Sequence, residues 1–198
     1  MIDIKAMLEA KWGEFISDSD SYYKFNGPMP FISNETKLNV LFNHKGISDI
    51  KKIYSTYLDT DVPHELLGFY KKFNGVRLFA NSLSVYGIQD YSSKDYQPYD
   101  ILICNRNSAD YNKCGLILVA SIGGEYNFGF KRNELSKIYG IQAGNGEIIQ
   151  TFDSFDTFFE HYFCHLIDEY GYDCRKIHIN EEYKGIPVLE HLSYELIE

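Results

Sequence analysis

The chain is 198 residues long, with a hydrophobic fraction of 44% and a formal net charge of −9 at pH 7. This length suits one domain with a substantial core, and the acidic balance argues against sequence-independent binding to nucleic acid, which requires Lys and Arg to displace counterions from phosphates. A negative surface suits a basic protein partner, although it also serves simply to keep a protein soluble. No apolar run approaches the roughly 20 residues that span a membrane, and no secretory leader pattern is present, so we expect a cytoplasmic protein.

The first 46 residues predict one amphipathic helix followed by an extended loop. Apolar residues recur at helical spacing from Asp3 to Ile16, and Asp3 is a suitable N-cap. The stretch from Ser17 to Thr36 is rich in Ser, Asp, Asn, Gly and Pro, which is typical of a loop that crosses the surface. A short apolar run, Leu38 to Phe42, follows it.

Two further helices are predicted before residue 76. The first runs from Ile47 to Leu58 with Ser48 as its cap. The second begins at Pro63, whose missing N–H costs nothing at a first helical position, and Asp61 is its predicted N-cap. Asn74-Gly75 predicts a left-handed end for this helix, because these residue types tolerate positive φ.

From residue 77 onwards, short apolar runs separated by turn residues predict β-strands. The runs are Arg77–Phe79, Leu83–Tyr86, Ile101–Cys104, Leu116–Ser121, Tyr126–Phe130, Lys137–Gln142 and Glu147–Thr151. Gly123-Gly124 and Gly144-Asn145-Gly146 suit hairpins with positive φ, so the sheet should be largely antiparallel. Both glycine segments lead into strands, which argues against phosphate-binding loops, since those lead into a helix N-terminus.

A last core helix is predicted from Phe155 to about Tyr170, with Ser154 as its N-cap. Helices first, strands next and a helix last predict an α+β fold rather than a βαβ repeat. We expect a single domain over residues 1–198, in which residues 1–46 form the N-terminal helix and extended loop, residues 47–170 the core, and residues 171–198 a C-terminal extension. That extension is predicted to add an edge strand and a short helix.

Residues with metal-binding or catalytic potential are few. Cys104, Cys114, Cys164 and Cys174 are too widely spaced for a disulfide scaffold, so reduced thiols are expected. His161, Cys164 and His165 share one side of the last helix, which permits a metal site, but packing alone explains them equally and no fourth ligand is indicated. Cys164 as a nucleophile lacks an oxyanion hole and an orienting third group. We predict no catalytic residue, no metal and no cofactor.

A long polar loop between two predicted strands is the most promising contact surface. Loops of this length are often functional. Tyrosines among carboxylates combine contact area with electrostatic steering towards a basic protein. Alternatively, the loop is a solvent-exposed connection that contains a helical turn and has no binding role. The 17 Tyr and 14 Phe of the chain could equally serve to cover a sheet. The predicted partner-binding residues are Asp90, Tyr91, Asp95, Tyr96, Tyr99 and Asp100.

The order of four segments resembles that of the SUKH superfamily, which includes Smi/Knr-type fungal cell-wall synthesis regulators and many bacterial proteins. The segments are the Val62–Gly75 helix, Leu83–Gly87, Leu116–Tyr126 and the helix start Thr151–Phe159. The resemblance extends from about Ile47 to Tyr170, and the loop before Leu38 and the tail beyond Tyr172 depart from it.

The resemblance implies an α+β fold, a central antiparallel sheet flanked by helices, and no enzymatic activity. Bacterial members look like immunity proteins that bind and neutralise polymorphic toxins, often nucleases or deaminases, and other members look like regulatory modules. We therefore expect a non-enzymatic module that binds a cognate, basic toxin and neither nucleic acid nor membrane. The alternative is a regulatory module of the same fold acting on an endogenous host protein. An enzyme or metalloprotein using His161, Cys164 and His165 is the third hypothesis.

Overall fold

The computed structural model of the chain describes residues 2–13, 16–19, 22–25, 39–79, 81–106 and 115–169. The helices in these ranges are α1 (Ile4–Trp12), α2 (Ile47–Ile53), α3 (His64–Tyr70), α4 (Ile101–Arg106) and α5 (Phe155–Glu169), with a π-helical turn (Tyr54–Leu58) that continues α2. The strands are β1 (Ile16–Ser19), β2 (Tyr22–Phe25), β3 (Asn39–Asn43), β4 (Phe73–Leu78), β5 (Leu83–Val85), β6 (Leu116–Ile122), β7 (Tyr126–Lys131), β8 (Glu134–Gln142) and β9 (Ile148–Phe152).

The strands form one sheet whose spatial order is the order along the chain, from β1 to β9. Every strand is antiparallel to its neighbours. Positive φ angles at Gly123 (59°), Gly124 (76°), Gly144 (86°) and Gly146 (73°) make the two tight turns that their sequences predict. The predicted α+β class with a mainly antiparallel sheet is confirmed.

Helix α5 lies over the sheet and closes the core. Its apolar face is fully buried because aromatic residues recur every three or four positions. Phe158 packs on Phe128 of β7 with ring centroids 4.7 Å apart, and Phe159 packs on Phe69 of α3 at 5.6 Å. The Ser154 hydroxyl accepts a hydrogen bond from the Thr157 amide at 3.0 Å, which confirms the predicted cap.

The first 46 residues differ from the prediction. Asp3 caps α1 as expected, accepting from the Ala6 amide at 3.1 Å, but the helix ends at Trp12 instead of Ile16. Gly13, with φ of 79°, directs the chain into β1. The predicted loop from 17 to 36 was wrong where β1 and β2 lie, and its remainder is outside the described residues. Through β3, which pairs with β4, this segment extends the core sheet.

Two predicted helix caps were also wrong, although α2 begins at Ile47 as predicted. The α2 cap position is Gly46 rather than Ser48, and the Gly46 carbonyl accepts from the Asp49 amide at 2.9 Å. In α3, Pro63 itself occupies the cap position, with ψ of 140°, and no side chain of the described residues caps that helix, so Asp61 does not. The cap and the first helical position both favour proline, because its φ is preset and it has no N–H.

The run Ile101–Cys104 is the clearest misprediction, because it forms α4 and not a strand. A short apolar run has no periodicity that separates a buried strand from a buried helix. The residue before it decides the outcome. Asp100 accepts hydrogen bonds from the amides of Leu102 (2.8 Å) and Ile103 (2.9 Å), which is the geometry of a helix N-cap.

Candidate partner-binding surface

The chain between β5 and α4 folds into a compact surface loop, residues 87–100, whose two ends meet. The Gly87 amide donates to the Tyr99 carbonyl at 2.9 Å, and the Ile101 amide donates to the Gly87 carbonyl at 2.9 Å. The Gln89 side chain donates to the Pro98 carbonyl at 2.8 Å. These bonds join the two ends of the loop, so the loop is held as a unit instead of extending into solvent.

Asn74-Gly75 anchors this loop from β4. The Asn74 side chain is buried and exchanges two hydrogen bonds of 2.8 Å with the amide and carbonyl of Ile88. Gly75 has φ of 86°, and a Cβ there would lie 2.6 Å from the Val85 carbonyl oxygen. The Asn-Gly pair, predicted to end a helix, therefore has a different role: it lies within a strand and lets the loop approach the sheet closely.

An arginine side chain enclosed by two tyrosines holds the second half of the loop. The Arg77 guanidinium lies 4.6 Å from the Tyr96 ring centroid and 4.4 Å from that of Tyr99. Its Nη2 donates to the Tyr99 hydroxyl at 3.2 Å, and its Nε donates to Asn81 at 2.7 Å. Tyr96 also stacks on Phe42 of β3, with ring centroids 5.8 Å apart. Both tyrosines thus bind the loop to the sheet through their ring faces.

The last predicted site residue, Asp100, is buried at 4% exposure. Besides capping α4, it accepts a hydrogen bond from the Gln89 amide at 3.2 Å. Asn105 fixes the other end of α4, because its side chain donates to the Leu118 carbonyl (2.9 Å) and accepts from the Leu118 amide (2.8 Å). The two bonds resemble the hydrogen bonds that a neighbouring strand would make to Leu118 of β6. Leu118 lies outside the stretch of β6 that pairs with β5. Loop and helix therefore form one connected unit.

Four of the six predicted residues are exposed: Asp90, Tyr91 and Asp95 at the tip of the loop, and Tyr99, at 38%, beside Arg77. Tyr91 is the most prominent, with 71% of its surface accessible. Asp90 accepts from the Ser92 amide and hydroxyl, and these hydrogen bonds lower the pKa of its carboxyl, with a smaller contribution from the charge of Lys45. The structure thus divides the predicted set into a displayed tip and a structural base. Whether the tip binds a partner stays a prediction.

Sequence reasoning missed three neighbouring residues that belong to the same surface. Tyr57, at the end of the π-helical turn, is 53% exposed, and Ile103 on α4 is 45% exposed. Arg106 ends α4 with its guanidinium 5.4 Å from the Tyr57 ring centroid. Burial, followed by the charge of Asp100 and a hydrogen bond to it, raises the pKa of the Tyr91 hydroxyl, and the charge of Arg106 opposes this shift. We call Tyr57, Tyr91, Ile103 and Arg106 the arginine patch. Helical spacing places Ile103 beside Arg106, but Ile103 was assigned to a strand, so the signal was lost.

His161, Cys164 and His165 lie on α5, where His165 is buried and the other two are half-buried. In the described residues, no cluster of three or more His, Cys, Asp or Glu side chains has the arrangement of a metal site. Burial raises the pKa of the Cys164 thiol, which disfavours the nucleophilic thiolate. Burial, followed by the nearby His165, lowers the pKa of His161. The His161 ring packs on Phe152 with centroids 5.5 Å apart, as a core-margin residue would.

The thiols that the structure describes, Cys104 and Cys164, are both free. Burial raises the pKa of Cys104 to about 11, and the Asp100 charge adds to this effect. Cys114 and Cys174 lie outside the described residues. In the same part of the chain, each helix is either too short or too polar to cross a membrane.

The chain matches the model of a known protein family. A model of the SMI1 / KNR4 family (SUKH-1) matches residues 47–161, more than half of the chain. The matched segment includes the loop, the arginine patch and the start of α5 as far as His161. Comparisons with the curated proteins and with the solved structures returned no match.

Proposed function

Since the chain belongs to the SMI1 / KNR4 family (SUKH-1), we propose that it is an immunity-type binding module that neutralises a nuclease or deaminase toxin by direct contact. Members of this family are generally non-enzymatic binding modules. Neutralisation by occlusion requires only a surface that fits the toxin, so it needs no catalytic group from this chain.

The observation that carries the proposal is the distribution of exposed apolar side chains. Five large ones are exposed in the described part of the chain, and four of them lie on the loop, on α4 or on the adjoining π-helical turn. These four are Tyr57, Tyr91, Tyr99 and Ile103, whereas the fifth, Ile148, lies on β9. A concentration of exposed apolar surface beside charged groups is characteristic of protein interfaces, and tyrosine and arginine dominate their binding energy.

The charge of the whole chain supports a basic toxin. Locally, the exposed tip carries Lys94 between Asp90 and Asp95, so the tip alone is nearly balanced. Long-range attraction then comes from the net charge of −9. Association with the toxin should slow as salt rises, because counterions screen that attraction beyond about 8 Å at physiological ionic strength. A rate of association that is independent of salt contradicts electrostatic steering.

The test uses the toxin domain encoded beside the gene for this chain. We expect the purified proteins to form a complex and the chain to protect cells that express the toxin domain. Replacement of Tyr91 by Ala should weaken binding by about 30-fold, as for an interface hot spot. Ile148→Ala, at an exposed apolar residue on β9, is the matched control and should bind normally. Absence of both complex and protection refutes the proposal and favours regulation of an endogenous host protein.

A further inference from the structure

We infer that Arg106 is the specificity-determining residue of this surface and that it receives a carboxylate of the toxin. The inference rests on the proposed function and adds the chemistry of the contact. It assigns the centre of the interface to the arginine patch, which joins the loop tip to α4 and the π-helical turn.

The backbone at Arg106 is held in place by hydrogen bonds at both ends of α4. Helix α4 is held at its start by Asp100 and near its end by Asn105, through side-chain hydrogen bonds of 2.8–2.9 Å. Asn105 immediately precedes Arg106. The backbone that carries the guanidinium is therefore fixed before any partner arrives, and a fixed backbone reduces the entropy lost on binding.

The Arg106 guanidinium has N–H groups with which it can bind a partner. Arg106 is exposed, and the Tyr57 ring lies 5.4 Å from its central carbon. No carboxylate of the described residues forms an ion pair with it. A guanidinium near an aromatic ring still has N–H groups directed outwards, and their planar fork matches a carboxylate in bidentate geometry.

Exposed apolar side chains lie near Arg106. Ile103 lies three residues before Arg106 on the same side of α4, and the exposed ring of Tyr91 belongs to the adjacent loop. When a partner covers these apolar side chains, water is excluded around the guanidinium. An ion pair formed there is screened less than one on an open surface. The same desolvation penalises any partner that leaves the guanidinium unpaired.

These steps give the patch a role in choosing among toxins. The net charge of −9 attracts basic proteins in general and does not separate one from another. A basic toxin with Lys or Arg opposite Arg106 would meet repulsion in a desolvated contact, whereas one with Asp or Glu there would gain a paired charge. Specificity by a local unfavourable contact of this kind is common in protein interfaces.

The experiment measures the dissociation constant of the neighbouring toxin domain with Arg106→Glu, Arg106→Lys and wild-type chains. We expect Arg106→Glu to weaken binding by about 100-fold or more, and Arg106→Lys by about 10-fold because the bidentate fork is lost. Lys94→Glu introduces the same charge change on the loop tip, outside the patch, and should have a several-fold smaller effect. Unfolding curves of the variants should overlay, which shows that the fold is intact.

The decisive measurement is rescue by charge exchange. Surface Asp and Glu residues of the toxin are replaced by Lys one at a time and tested against Arg106→Glu, and we expect one replacement to restore at least about 10-fold of the lost affinity. Failure of every replacement, or wild-type affinity of Arg106→Glu, overturns this inference. If Tyr91→Ala still weakens binding in that case, the proposed function survives.

Two other outcomes are informative. If the wild-type chain does not bind the toxin, the proposed function fails and this inference fails with it. If the wild-type chain instead binds a short fluorescent single-stranded RNA tightly and Arg106→Glu abolishes that binding, the patch recognises phosphate and the carboxylate assignment is wrong.

Discussion

Aromatic side chains have opposite roles in two regions of this protein. On the inner face of α5, Phe158, Phe159 and Tyr162 are fully buried against the sheet and one another. In the loop, Tyr91 is 71% exposed, while Tyr96 and Tyr99 enclose Arg77. The difference teaches that the structural element, and not the residue type, determines what a ring does. A helix that covers a sheet buries its rings, whereas a loop closed by backbone hydrogen bonds keeps some of them exposed.

The largest expected effect tests the buried region. Phe159→Ala should reduce the free energy of unfolding by about 3–5 kcal/mol, since it removes a fully buried ring that packs on Phe69 and Phe163. Denaturant unfolding monitored by circular dichroism measures the loss. Glu160→Ala, the next residue on the exposed side of α5, is the control and should change stability by no more than about 0.5 kcal/mol. Equal losses in the two variants would contradict the burial of this face.

A smaller effect is expected where the loop joins α4. Asp100→Ala should cost about 1–2 kcal/mol of unfolding free energy, because it removes the α4 cap and the bond to the Gln89 amide. The same denaturant titration applies. Asp95→Ala, at an exposed carboxylate of the loop, serves as the comparison and should be nearly neutral. A neutral Asp100→Ala variant would show that α4 forms without its cap.

Loss of the charge on Arg77 should loosen the loop more than it destabilises the protein as a whole. Arg77→Met keeps the aliphatic stem and removes the charge, so we expect a loss of about 1 kcal/mol from two cation–π contacts. Amide hydrogen exchange should accelerate in the loop and stay unchanged in β7. Lys94→Met removes a loop charge outside this contact and should leave exchange as in the wild type. Uniform acceleration across the sheet would argue against a specific loop anchor.

The smallest effect concerns pH at the margin of the aromatic core. Burial lowers the pKa of His161 below its usual value of 6.5, so the unfolded chain binds the proton more readily than the folded one. The stability contribution of neutral His161 is complete above about pH 6.5 and declines as pH falls through the folded-state pKa. Unfolding midpoints between about pH 7.5 and pH 5.5 should therefore fall less in His161→Gln than in the wild type. Parallel pH profiles would rule out this linkage.

Local patterns predicted much of the fold correctly. A few adjacent residues were enough to predict the Gly-Gly and Gly-Asn-Gly turns, the Ser154 cap and the apolar periodicity of α5. All of these features are present in the structure. The six predicted partner-binding residues lie in one folded loop, but they are not equivalent within it. The sequence does not show that Tyr91 is exposed while Asp100 and Tyr96 have structural contacts. Those contacts depend on residues elsewhere in the chain: Arg77 for Tyr96 and Tyr99, Tyr86 for Tyr99, and Gln89 for Asp100.

Adjacent residues thus specified the α+β class, the turns and the family resemblance, since each depends on short-range periodicity and backbone preference. Tertiary packing decided the rest. It made Ile101–Arg106 a helix, because Asp100 and Asn105 satisfy backbone groups of α4 and β6. Asn74-Gly75, which was predicted to end a helix, anchors the loop instead. Only glycine, which has no Cβ, leaves room at position 75 for the Val85 carbonyl oxygen. Tertiary packing also brought Tyr57, Tyr91 and Arg106 together from three separate segments, a proximity that depends on the fold rather than on spacing along the chain.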